Sequence, residues 1–329
     1  MLKKIINYFY LTIVIMGVFF ACLADVPHDN PIDPNNKNRG FSISGKVTTL
    51  YAPVQNLSNA IITIEPGEQN LFSTSDGSFE FNGLEPGFYT IFCTANGYSL
   101  DSLEVDLQSD QTINFSLDGL PYFEQTALTT HHISRFFPVD DLFLLEVNVK
   151  VNDPDGVSDI KQVYFDITEF DASDTLDASL ETGFFSKRLS VDDLPINSIH
   201  SLIGRAFYIS IMDDANQITV SNELFLTRII DLTPILESPT NLETVASDTI
   251  EFLWQKNRLP FLFRHRIEIF QINLGLLTKV DELNNIPSDI SKWSAAHNLP
   301  KGDYVWILTI IDEFGNTSSS KEGTFNVNK

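Results

Sequence analysis

From Phe41 onward, apolar residues recur at every second position in short runs, and Gly, Pro, Asn and Asp cut the runs apart. The segments "FSISGKV", "AIITIEP", "RAFYISIM", "TIEFLW" and "DYVWILTIID" all read this way. A period of two belongs to the pleated strand, whose side chains alternate between faces, so each run offers one apolar face to a core. Short strands separated by turn signals every ~8–12 residues pack as two-sheet sandwiches. Helical periodicity is scarce. "SDISKWSAAHNL" is the one stretch that reads as a short helical turn, with Ser288 or Asp289 as its cap. Phe supplies 26 residues and Met only 3, a bias toward the stiff aromatic packing of sheets. The expected fold is all-β: three tandem β-sandwich domains after a leader and a tether.

Composition breaks at "DGLPYF" and "DLTPILESP" divide the chain into 41–118, 119–232 and 233–329. In the first unit Asp76-Gly77 signals a hairpin turn and Pro86-Gly87 a second. Phe79 and Phe81 share one strand face, and Tyr89, Ile91, Cys93 and Ala95 share another; Gly97 ends that strand. This order resembles the carboxypeptidase regulatory-like domain, a transthyretin-like β-sandwich. The matching residues are Gly45, Val47, Ala60, Thr74, Asp76, Gly77, Phe79, Leu84, Pro86, Gly87, Tyr89, Gly97 and Tyr98. The resemblance implies a non-catalytic module, of a kind appended to enzymes, transporters and adhesins. In the third unit "TIEFLWQKN" and "RHRIEIFQI" resemble the B and C strands of a fibronectin type III domain, with Trp254 in the core. "LPKGDYVWILTIIDEFGNTSSSKEGTFNV" resembles its F and G strands, with Tyr304 at a tyrosine corner and Gly315-Asn316 in the turn. The second unit repeats that pattern, "FYISIMDDANQITVSNELFL" lying beside "YVWILTIIDEFGNTSSSKEGTF". It has no Trp and is read only as Ig-like.

Ahead of these units, Lys3 and Lys4 precede an uncharged run, Ile5 to Ala21, that ends at Cys22. That is the layout of a secretory signal peptide. The run also sits at the short end of the ~17–25 residues that cross a bilayer, so an uncleaved anchor is the alternative. "VFFAC" resembles the lipobox of bacterial lipoproteins: Ala21 stands at −1, while Phe19 at −3 departs from the usual Leu. The resemblance implies removal of residues 1–21 and lipidation of Cys22. Each buried CH₂ contributes ~0.8 kcal/mol, and two chains anchor stably where one does not. By the same resemblance, Leu23, where Asp would retain a lipoprotein in the inner membrane, permits export to the outer membrane, on its periplasmic or its outer face. Residues 22–40, rich in Pro, Asn and Asp, read as a flexible tether.

With 21 Lys and Arg against 44 Asp and Glu, the net charge is −23, and loss of Lys3 and Lys4 would make it −25. Such a charge repels nucleic acid and anionic headgroups, so no nucleic-acid partner is expected. There are two cysteines; if Cys22 is acylated, Cys93 has no disulfide partner. Cys93 shares its face with Tyr89 and Ile91 and reads as a small buried apolar group.

The clearest polar cluster is "DPDGVSD". Asp153, Asp155 and Asp159 surround Gly156 at i, i+2 and i+6 and offer oxygen ligands to a hard cation such as Ca²⁺. The alternative is a strand-to-strand turn whose Asp side chains bond local amides; EF-hand spacing fails, because no Glu stands at the twelfth position. His131 and His132, beside Arg135, fall on opposite faces of a strand and cannot both ligate one metal ion. In "RLPFLFRHRIEIF", Phe261 and Phe263 point inward, while Arg264 and Arg266, with Arg258 flanking, either solubilise a sheet face or meet an acidic or glycan partner. Trp293 and Trp306 suit sugar stacking or a core. No nucleophile elbow, Walker loop or dinucleotide fingerprint occurs, and no cofactor or catalytic residue is assigned. The expected function is a non-catalytic, outer-membrane-anchored lipoprotein presenting its modules for binding or spacing. Its rivals are a glycan- or protein-binding adhesin and an accessory subunit of an uptake or secretion machine.

Overall fold

In the computed structural model, which describes residues 40–245, 249–296 and 299–328, nearly every period-two run is a strand. Helix among these residues is confined to 3-10 turns of three or four residues. The protein is all-β. The stretch read as a leader, Cys22 and the stretch read as a tether, up to residue 39, lie outside the described residues. The chain divides into two compact units, the first ending at Leu117 and the second beginning at Asp118.

The first unit is a sandwich of two four-stranded sheets. In one sheet Phe41–Thr49 runs antiparallel to Ser78–Leu84 and parallel to Gln111–Thr112 and Phe115–Leu117. The other orders Gln69–Phe72, Ile61–Glu65, Gly87–Thr94 and Asp101–Leu107. The inward residues are the alternating ones: Ile43 and Val47, Ile62 and Ile64, Phe79 and Phe81, Ile91 and Cys93 are all buried. Gly45 is required where two backbones meet, since a Cβ there would lie 1.5 Å from the Ile113 carbonyl oxygen. At the predicted hairpin, the Thr74 and Ser78 hydroxyls donate to Asp76 Oδ1 at 2.6 and 2.7 Å, and Gly77 takes φ +77°.

The second unit is organised by one ten-stranded sheet. Its path runs Asp177–Ala178, Phe184–Leu189, Leu142–Asn152, Tyr122–Ile133, Thr317–Ser319, Gly302–Asp312, Phe263–Asn273 and Leu276–Pro287. Gly323–Val327 also pairs with Gly302–Asp312, and Glu243–Val245 lies parallel to it. A five-stranded sheet built on Ile160–Ile167 and Ala206–Asp213 covers one part, packing Val163, Phe165, Phe207 and Ile209 on Leu145, Val147 and Val149. A three-stranded sheet of Leu236–Ser238, Thr249–Trp254 and Lys292–Ala296 covers the other. There Ile250, Phe252 and Trp254 meet Tyr304, Trp306 and Leu308, with the Phe252 and Trp306 ring centres 4.8 Å apart. The two hydrophobic clusters fall either side of residue 232, yet the sheet is continuous across it. Thr317–Ser319 pairs in parallel with His131–Ile133 at that point.

The tyrosine corner is present: the Tyr304 hydroxyl donates to the Pro300 carbonyl at 2.7 Å. One expectation fails. The stretch read as a helical turn instead makes a two-residue turn at Ser288-Asp289 and then the strand Lys292–Ala296, paired with Thr249–Leu253. Ladder hydrogen bonds and the packing of Trp293 against the third core outweigh weak local helix propensity.

Candidate functional site

Five carboxylates meet at one end of the sandwich that opens the second unit. Asp153, Asp155 and Asp159 come from the loop after Leu142–Asn152, where the chain turns through Gly156 into a 3-10 turn. Asp213 closes the strand Ala206–Asp213, and Asp118 is the first residue of the unit. Asp118, Asp155 and Asp159 each place an oxygen within 4.8 Å of the others, and so do Asp153, Asp159 and Asp213. Asp159 belongs to both groups.

Backbone amides take part of this charge. The Asp155 N–H donates to Asp153 Oδ1 at 2.7 Å, the Gly119 N–H to Asp155 Oδ2 at 2.6 Å, and the Gln217 N–H to Asp213 Oδ1 at 2.7 Å. Gly119 admits this approach because a Cβ there would lie 2.8 Å from Asp155 Oδ2. Five further oxygens are buried with no partner: both of Asp118, and Oδ2 of Asp153, Asp159 and Asp213. Four of the side chains are buried, with Asp213 at 0 % exposure. Among the described residues no Lys or Arg pairs with any of them. Burial, and then the neighbouring carboxylates, pushes Asp118 and Asp153 up to about 6 and raises Asp159 and Asp213.

The sequence pointed to Asp153, Asp155 and Asp159, and the fold brings them together. Asp153 accepts from the Asp155 amide within the loop, and oxygens of Asp153 and Asp159 are left spare. Asp118 and Asp213 were missed. The signals were present, "DG" at 118–119 and the acidic turn of the internal repeat, but neither is near the loop in sequence.

The other candidates resolve differently. His131 and His132 do face opposite ways: His131 bonds Glu146 at 2.6 Å and Thr317 at 2.8 Å, and His132 bonds Asp141 at 3.0 Å and the Ile230 carbonyl at 2.9 Å. Cys93 is buried, and burial pushes its thiol up to about 12. Arg264 is exposed, while Arg266 pairs with Glu268 at 3.1 Å. Phe261 lies under the Arg228 guanidinium, 4.0 Å from ring centre to Cζ. Trp306 cannot stack on a sugar, because it is fully buried and donates to the Pro239 carbonyl at 2.7 Å. Trp293 is half-buried.

A groove of ≈ 460 Å³ lies along the second unit where the sheet crosses residue 232. Its lining includes Ser134, Phe136, Thr233, Ile235, Thr240, Asn241, Lys321 and Glu322. Phe136 is 63 % exposed, and the Lys321 ammonium lies 5.2 Å from its ring centre.

No family model and no curated protein matches the chain. Among solved structures, the chain is similar to BcpA, the major pilin subunit of Bacillus cereus, at 11% identity and TM-score 0.28, covering 88% of this chain and 95% of that one. It is similar to a DUF3823 family protein from Bacteroides ovatus at 10% identity and TM-score 0.25, covering 56% and 96%. The FN1–FN3 domains of chicken CNTN1 overlap at 8% identity and TM-score 0.32, covering 84% and 92%. At overlaps of this size the functional reading rests on the chain's own chemistry.

Proposed function

We propose that this protein is a non-catalytic, lipid-anchored component of the outer membrane, whose β-sandwich modules hold a glycan-binding groove beside Phe136 away from the bilayer. The observation that carries the binding reading is the groove itself. Its lining joins one exposed aromatic ring to the polar residues Thr233, Thr240 and Asn241 and the charged residues Lys321 and Glu322. A sugar ring presents an apolar face and a rim of hydroxyls, which an aromatic surface and a few polar groups complement. The continuous sheet beneath fixes the two sides of the groove in one unit. The anchor rests on the uncharged run that ends at Cys22. The non-catalytic reading is supported by the commitment of Cys93, His131 and His132 to burial or to structural pairs.

Glycan-array screening followed by calorimetry on the leading hit tests the groove. Phe136→Ala should weaken that binding at least tenfold, and unchanged affinity would reject it. Metabolic palmitate labelling tests the anchor: label retained in Cys22→Ser would reject lipidation at that residue.

A further inference from the structure

The carboxylate cluster raises a problem that the binding reading leaves untouched. Four buried Asp side chains and the half-buried Asp155 converge with five oxygens unpartnered and no paired cation among the described residues. Ionised carboxylates without a counter-charge are among the most costly groups to bury. The internal repeat supplies a control. Asp213 and Asp312 occupy corresponding places at the ends of Ala206–Asp213 and Gly302–Asp312. Each accepts through Oδ1 from the amide four residues on, Gln217 at 2.7 Å and Asn316 at 2.9 Å. They differ at the second oxygen. Asp312 Oδ2 accepts from Arg228 Nη1 at 3.0 Å and from Asn316 Nδ2 at 2.9 Å, whereas Asp213 Oδ2 is buried with no hydrogen-bond partner. Where one repeat places a guanidinium, no Lys or Arg of the described residues pairs with the carboxylates of the other.

We propose that Asp118, Asp153, Asp155, Asp159 and Asp213 bind Ca²⁺, with Asp159, common to both groups of three, at the centre of the site. The donor set is all oxygen, which selects a hard cation over Zn²⁺ or Cu²⁺. Ca²⁺ accepts six to eight oxygens in flexible geometry, as clustered carboxylates from three chain segments offer. Mg²⁺ demands a near-octahedral shell and sheds water reluctantly, and a buried carboxylate cluster suits it poorly. The rival explanation is that the carboxylates are held neutral by protons. It predicts no dependence on Ca²⁺.

The test uses the full-length protein, stripped with EDTA and melted with and without CaCl₂ or MgCl₂, together with calorimetric titration. With Ca²⁺ about 100-fold above Kd, the second unit should melt roughly 5–10 °C higher. Mg²⁺ should give a much smaller shift. Asp159→Asn and Asp213→Asn should abolish the Ca²⁺ shift, yet melt no lower than wild type in EDTA, because each removes like-charge repulsion. A wild-type melt unchanged by Ca²⁺ with no heat of binding would overturn the proposal. So would an equal response to Mg²⁺, or a full Ca²⁺ shift in both variants. Should the variants fail to fold, saturable binding of Ca²⁺ to the wild type in calorimetry supports the site, and its absence overturns it.

Discussion

Replacing Arg228 with Met isolates the cation that one repeat possesses and the other lacks. Arg228 Nη1 lies 3.0 Å from Asp312 Oδ2 and 3.1 Å from Glu313 Oε2, and its guanidinium stacks 4.0 Å from the Phe261 ring centre. The Asp312 side chain is fully buried. At that distance and an effective dielectric constant near 20, the pair attracts by ~5–6 kcal/mol, and desolvation offsets much of this. Removing one partner of a buried pair costs ~3–5 kcal/mol, because the other charge is left uncompensated. Asp312 keeps three hydrogen bonds of 2.9 Å, from the Phe314 and Asn316 amides and Asn316 Nδ2, so the lower end applies. Loss of the cation–π contact adds ~0.5–1 kcal/mol. A destabilisation of ~3 kcal/mol is expected, a large share of the ~5–15 kcal/mol typical of a domain. All three Trp residues lie in the second unit, so Trp fluorescence during urea unfolding reports that unit alone. The midpoint should fall at constant m-value. Adding Asp312→Asn should recover most of the loss, and Arg228→Lys should fall between, since an ammonium lacks the planar fork and stacks poorly. A Met variant within ~0.5 kcal/mol of wild type, or no recovery in the double variant, would refute this account of the junction.

Trp254→Ala should cost ~3–5 kcal/mol in the same assay, since the ring is 1 % exposed and its loss leaves a cavity between the sheets; a loss under ~1 kcal/mol would mean that the site collapses. Cys93, buried and with its thiol pushed up to about 12, should resist thiol reagents in the native Cys22→Ser protein and react on urea unfolding; equal rates would place it outside the core. Glu146 is held down at about 2, first by its hydrogen bond from His131 and then by Arg188. Its folded pKa lies below the ordinary 4.5, so its contribution is present above that pH and is lost as pH falls toward 2. Glu146→Gln should therefore be less stable than wild type by on the order of 2 kcal/mol at pH near 6, with the gap closing toward pH 2–3; a gap constant with pH would show that the pair does not hold the carboxylate down.

Much of the fold was legible because strand alternation is a local property. Ile250, Phe252 and Trp254 had to share a face whatever lay opposite, and they are buried as a set. The same holds for Phe79 with Phe81 and for Ile91 with Cys93. The hydrogen bond from the Tyr304 hydroxyl to the Pro300 carbonyl spans four residues and could be read from the resemblance of the third unit. Local reading failed at Lys292–Ala296, whose identity as a strand comes from pairing with Thr249–Leu253, some forty residues earlier.

What the sequence could not decide was register between distant segments. Sequence spacing brings Asp153, Asp155 and Asp159 into one loop, which by itself also reads as a turn bonded to its own amides. Only the packing of Leu142–Asn152 against the sheet that ends at Asp213, with Asp118 at the head of the unit, turns that loop into a buried cluster of five. Likewise, nothing near Asp312 in sequence announces Arg228, and nothing near His131 announces Thr317. A carboxylate's partner is set by which strand ends meet in space, because electrostatic and hydrogen-bond contacts act over a few ångströms and are indifferent to separation along the chain. Alternation fixed which way each side chain points; the parallel pairing of Thr317–Ser319 with His131–Ile133 decided what it points at.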